Sequence, residues 1–207
     1  MRLPRALLLA AAALVGSVGA ADVQPQVDGW YECTAVTFAE QLPKDPSDAS
    51  SLNGAAQCAI FKAPLCYAGV CKNETNKQID IFVKRIKSGA GANSPNIFFM
   101  QGGPGAASPA MESAMTGMYT LLRGNVNVYT MDHRGTGRST KLDCVAAQAQ
   151  TSASPGGTSI DSTEVGTCAD EIQSKYGSDL SSFSITSAAS DLKYFISTFL
   201  PNQNTFV

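Results

Sequence analysis

The sequence predicts an α/β domain, a covered sheet whose strands run straight into glycine turns. Three observations carry this. Asn96-Ile97-Phe98-Phe99-Met100 is a short apolar run that stops at Gln101 and is followed by Gly102-Gly103-Pro104-Gly105. The design recurs where Val126-Asn127-Val128-Tyr129-Thr130-Met131 meets Asp132-His133-Arg134-Gly135-Thr136-Gly137-Arg138-Ser139. Between the two, residues 109–123 set Met111, Met115, Met118, Leu121 and Leu122 at helical spacing, a stripe suited to core packing. Short runs rich in β-branched and aromatic residues read as strands of a sheet covered on both faces. In open α/β sheets, turns at the carboxyl ends of the strands are where ligands bind.

Composition narrows the class and the compartment. The 207 residues are 44% hydrophobic and 15% charged, enough to bury a core. Lys and Arg number 15 against 17 Asp and Glu, so no basic surface invites nucleic acid. Arg2 and Arg5 precede an apolar stretch over residues 6–15, and Val18-Gly19-Ala20 supplies small residues for cleavage. Residues 1–20 therefore read as a signal peptide; the apolar run falls short of the about 20 residues a membrane span needs. Its removal leaves 13 basic and 17 acidic residues, a net charge of −4. The expected mature protein is secreted and has no membrane segment.

Six cysteines follow the signal: Cys33, Cys58, Cys66, Cys71, Cys144 and Cys168. An even number in a secreted chain predicts disulfides. Cys144 and Cys168 stand apart as the preferred pair, and the pairing of the other four stays open. The set contains no Cys-x-x-Cys, and the one histidine, His133, lies far from the N-terminal cysteines, so no metal site is assigned. Asn73-Glu74-Thr75 is a glycosylation sequon.

In chain order, residues 21–58 form an N-terminal extension without sustained periodicity. Residues 59–63 read as a short strand ended by Pro64. Gln78–Ile86 alternates apolar and polar through its first half, as a strand does. Residues 143–186 are rich in Ser, Thr, Ala and Gly and read as a surface excursion, with a short helix over 163–176 carrying Cys168. A further helix runs to Leu200, capped by Thr186 or Ser187, with Leu192, Phe195, Ile196 and Phe199 facing the core. Thr205-Phe206-Val207 starts another strand.

The first glycine turn has three readings. It could be a plain strand–helix turn in which the glycines only make space. Gly103-Pro104-Gly105-Ala106-Ala107-Ser108 nearly matches a dinucleotide fingerprint, with Asp132 as the ribose acceptor. Pro104 removes an N–H where the backbone should approach a pyrophosphate, and Ser108 stands where a glycine is needed for helix packing. Secretion also takes the chain away from nicotinamide cofactors, so no cofactor is expected. The third reading is an oxyanion hole, in which backbone N–H groups stabilise charge developing on a carbonyl oxygen by roughly 2.7–4 kcal/mol per donor. A cis bond between Gly103 and Pro104 would suit such a rigid turn.

Gln101-Gly102-Gly103-Pro104-Gly105 resembles the His-Gly-Gly-Pro-Gly loop of the α/β-hydrolase-fold proline iminopeptidases and tripeptidyl aminopeptidases. Asp132 to Ser139 is similar to their Asp-x-Arg-Gly-x-Gly-x-Ser turn, Pro64-Leu65-Cys66-Tyr67 to a Pro-Leu-x-Tyr element, and Asp191-Leu192-Lys193-Tyr194-Phe195-Ile196 to the helix before the nucleophile strand. The resemblance covers residues 59–207. It implies that Gly103 N–H serves the oxyanion hole while Gly102 and Pro104 shape the loop. It also implies that Asp132, Arg134 and Gly135 pin the loops through an ion pair or carbonyl contacts. Gln101 stands where the family has histidine. His133 fills a variable position and precedes any nucleophile, so it is not the triad histidine.

The chain contains no Gly-x-Ser-x-Gly. The resemblance therefore implies the N-terminal half of a hydrolase sheet, a partial domain over 59–207, with nucleophile, acid and base beyond Val207. The implied activity is that of a secreted serine exopeptidase acting on peptide substrates, inactive as these 207 residues alone. The alternative is a secreted, disulfide-stapled binding protein on a partial hydrolase scaffold.

Overall fold

A computed structural model describes residues 27–37, 56–71, 76–102, 105–145 and 159–207. The signal segment 1–20, the sequon at Asn73, the Gly103-Pro104 bond and part of the 143–186 excursion lie outside the described residues. Among the described residues the architecture is α/β, a mixed six-stranded sheet with three α-helices. The strands are β1 (Val27–Cys33), β2 (Ala56–Pro64), β3 (Gln78–Ile86), β4 (Asn96–Phe99), β5 (Asn127–Met131) and β6 (Thr205–Phe206). The helices are α1 (Glu112–Leu121), α2 (Val165–Tyr176) and α3 (Ile185–Phe199).

Across the sheet the order is β1-β2-β3-β5-β4-β6. The first three strands are antiparallel neighbours and β3 meets β5 antiparallel, whereas β4 is parallel to both β5 and β6. From β4 the chain passes through α1 to β5 on one side. It then crosses through α2 and α3 to β6 on the other. The carboxyl end of β4 is thus a topological switch point, where connections diverge and leave a crevice.

Alternation along the strands puts an apolar set on each face. On one face Ala59, Phe61, Ala63, Ile79, Ile81, Val83, Phe98, Tyr129 and Met131 are buried against Phe195 and Leu200. On the other, Ile97, Phe99, Val128 and Ile86 pack with Met115 and Tyr119 of α1. The sheet is covered from both sides, which is why β4 and β5 read as continuous apolar runs. Their polar members are paired: Asn127 Nδ2 donates to Asn96 Oδ1 at 3.0 Å, and its own Oδ1 accepts from Ser88 N at 2.8 Å.

The structure departs from the sequence reading in four places. A strand, β1, lies in the stretch 21–58 that shows no periodicity. Its register to β2 shifts between Asp28 and Tyr31, and such a bulge breaks the two-residue alternation a strand is recognised by. The next strand, β2, starts at Ala56 and includes Pro64. The cap of α3 is Ser184, whose Oγ accepts from Ser187 N at 3.1 Å, instead of Thr186 or Ser187. The stripe on α1 ends early, because Leu121 closes the helix and is 74% exposed.

The cysteines pair in chain order, Cys33 with Cys58, Cys66 with Cys71, and Cys144 with Cys168, at Cα separations of 5.9, 5.7 and 5.2 Å. The first joins β1 to β2 and the third joins the segment after the second glycine turn to α2. This degree of cross-linking fits a secreted protein. Among the described residues no helix is long and apolar enough to cross a membrane.

Candidate functional site

Both glycine turns stand at the carboxyl ends of neighbouring parallel strands, so the sheet brings them side by side. Their main link is the Asp132 carboxylate. It is fully buried and accepts from Ser108 N at 2.7 Å through Oδ1, and from Arg138 N and Nε at 2.8 and 2.9 Å through Oδ2. Ser108 lies just beyond the first loop, so one carboxylate joins the turn after β5 to the loop after β4. Arg138 also reaches Ser108 Oγ at 3.0 Å and lies over the Phe82 ring at 3.7 Å. Gly137 closes this knot with φ +53°. A Cβ there would meet the Asp132 carboxylate and stand 2.8 Å from Ala107 Cβ, so only glycine fits.

Burial acting alone would raise the Asp132 pKa, but the hydrogen bonds from Arg138 and Ser108 outweigh it and hold the carboxyl below the ordinary value of 3.8. A depressed folded pKa contributes stability that is complete above the unfolded value and is lost as pH falls through the folded one. In urea titrations, wild type should therefore lose stability steadily below about pH 4. Asp132→Asn, which has no carboxylate to protonate, should show a flatter acid limb.

Arg134 pins the turn on its other side. All five of its N–H groups are used. Nε and Nη2 grip Asp191 at 2.8 and 2.6 Å, Nη1 donates to Leu65 O and Ser182 O at 2.6 and 2.8 Å, and Nη2 also donates to Pro64 O at 3.0 Å. Tyr67 donates its hydroxyl to Asp191 Oδ1 at 2.8 Å. Burial pushes the Asp191 carboxyl up, with Arg134 and then Tyr67 pulling against it. Burial and the neighbouring Asp191 push the Tyr67 hydroxyl up as well. Gly135 takes φ +85°, and its N–H donates to Thr140 O at 2.8 Å to shut the turn.

A second buried ion pair stiffens the approach to the first loop. Lys84 of β3 pairs with Glu112 at the start of α1, and Thr37 Oγ1 donates to the same carboxylate at 2.6 Å. Burial lowers the Lys84 pKa, and Glu112 opposes that shift. Sequence reasoning missed this pair, although one signal was there: Lys84 interrupts the apolar end of β3 on a face that should be buried. It also assigned no role to Arg138, Ser108 or Tyr67.

Of the residues singled out from sequence, Asp132, Arg134 and Gly135 meet in this one assembly. Gly102 borders it and is exposed, while Gly103 and Pro104 lie outside the described residues. Cys144 and Cys168 form their own small buried cluster with Ile172 beside them. His133 Nε2 lies 2.8 Å from Gln101 O, bridging the two turns. A cavity of about 370 Å³ lies elsewhere, on the α3 face, lined by Val27, Trp30, Arg85, Tyr129, Phe195, Phe199 and Leu200. It is at the end of α3 remote from Asp191 and holds none of the loop residues.

The fold and these contacts define the chain as an α/β protein with two interlocked strand-end turns. Among known proteins, no family model and no curated protein matches it.

Proposed function

We propose that this chain carries the N-terminal portion of a secreted serine exopeptidase of the α/β-hydrolase class, with the β4 loop as one side of its oxyanion hole. The observation that carries the reading is the Asp132 bridge, which holds the loop after β4 and the turn after β5 together at the switch point. Counted from Ala56, β4 is the third strand and α1 the first helix. The loop between them is where this fold class places one donor of its oxyanion hole. In the complete enzyme a serine would attack the scissile carbonyl of a peptide, a histidine would carry its proton, and the loop N–H groups would hold the oxygen.

The secreted 207-residue chain should not turn over aminoacyl or tripeptidyl chromogenic substrates, nor take a fluorophosphonate label. Turnover with labelling would overturn the division of the catalytic machinery proposed here. Reading the transcript past Val207 tests the family itself. Gly-x-Ser-x-Gly is the expected continuation; a stop codon with a monodisperse, stable chain favours the disulfide-stapled binding protein, a reading that the three cysteine pairs also suit.

A further inference from the structure

His133 makes a contact that neither strand requires. Its ring is half-buried in the turn after β5, and Nε2 lies 2.8 Å from the main-chain oxygen of Gln101, in the loop just after β4. A carbonyl oxygen only accepts, so Nε2 carries the hydrogen and donates it. Gln101 C=O and Gly102 N–H belong to one peptide unit, and in a trans peptide they point to opposite sides of the chain. Among the described residues every peptide bond is trans. Holding the oxygen on the ring therefore aims Gly102 N–H away from the turn.

Among the described residues, nothing lies within 4 Å of where a Gly102 Cβ would stand, so no side-chain packing there fixes the loop. The Gln101 side chain does not compete for the ring, since its Oε1 is buried without a hydrogen-bond partner among the described residues. Gly102 is exposed, and its N–H meets no acceptor among the described residues. Among the described residues, the arrangement is a donor without an acceptor at the switch point, on a peptide whose carbonyl is held by one imidazole.

We infer that His133 is a positioning residue of the β4 loop, holding the Gln101 carbonyl so that Gly102 N–H is presented as a donor to an oxyanion. This rests on the oxyanion-loop reading above and extends it to Gly102 and to a residue outside the loop. Glutamine tests it closely, because its amide nitrogen lies the same number of bonds from Cα as Nε2 of histidine. His133→Gln keeps the donor and His133→Phe keeps only the bulk.

The experiment uses the ¹⁵N-labelled chain, whose single histidine makes the ring signals unambiguous. Long-range ¹H–¹⁵N spectra read the tautomer, and acetate, standing in for the oxyanion, is titrated while the Gly102 amide peak is followed. The expected result is hydrogen on Nε2, with an acetate-dependent Gly102 shift in wild type and His133→Gln that is lost in His133→Phe. Hydrogen on Nδ1 alone, or loss of the shift in His133→Gln as well, overturns the inference. If acetate moves the Gly102 peak equally in all three proteins, the role of His133 falls and the loop reading stands. If it moves the peak in none while Nε2 carries the hydrogen, the oxyanion-loop reading falls and this inference with it.

Discussion

Replacing Arg134 with methionine is expected to destabilise the chain by about 3–5 kcal/mol, the range for breaking a buried ion pair by removing one partner. The side chains of Arg134 and Asp191 are 1% and 3% exposed, so water cannot replace the lost guanidinium. Asp191 would keep only the Tyr67 hydroxyl. Three carbonyls, those of Pro64, Leu65 and Ser182, would also lose a donor. Each unsatisfied buried acceptor adds about 1–3 kcal/mol unless the backbone relaxes. Against a total stability of about 5–15 kcal/mol for a domain, that is enough to unfold much of the population. Urea denaturation of Arg134→Met measures it. The double variant Arg134→Met/Asp191→Leu separates the two contributions: it removes the stranded charge but not the stranded carbonyls, so it should recover only part of the loss. Full recovery would assign the whole effect to the ion pair, and no recovery would assign it to the carbonyls.

Phe195→Ala should cost a similar amount, about 3–5 kcal/mol, by a different mechanism. Phe195 is fully buried where α3 meets the sheet, with ring centroids 5.1 Å from Phe61, 5.1 Å from Phe199, 6.0 Å from Phe98 and 6.1 Å from Tyr129. Truncation loses both the transfer energy of the ring and the edge-to-face contacts around it, and leaves a cavity lined by rigid rings. Phe195→Leu should lose less, because more of the volume stays filled. Denaturant midpoints give the magnitudes, and loss of near-ultraviolet dichroism reports the aromatic packing. A change in Phe195→Ala below about 1 kcal/mol would mean that α3 is not a principal cover of the sheet.

The two variants probe different levels of legibility. Phe195 was readable as core from its spacing with Leu192, Ile196 and Phe199, since a helix covering a sheet repeats its apolar face at fixed intervals. The bounds of β3 and the start of β4 were equally plain, for each apolar run begins or ends at a turn residue. The failures have equally local causes. The bulge between Asp28 and Tyr31 hid β1, and the α3 cap was misplaced because several hydroxyl residues, Ser184, Thr186 and Ser187, compete over four positions. Of the site, the turn motifs were visible as residues, but their partners were not. Nothing in spacing links Asp132 to Ser108, or Arg134 to Asp191, because these contacts cross 24 and 57 residues of chain.

What this sequence determined by itself was its class of structure and the position of its two strand-end turns. Apolar periodicity and glycine placement are local, and they act through the backbone within a few residues. Which strand stands beside which, and which buried charge meets which donor, was decided only by the tertiary fold. The order β5-β4-β6 sets the two turns at one switch point. Once there, Asp132 and Arg134 are held by groups that close chain packing brings to them, since a buried charge left without such partners would cost several kcal/mol.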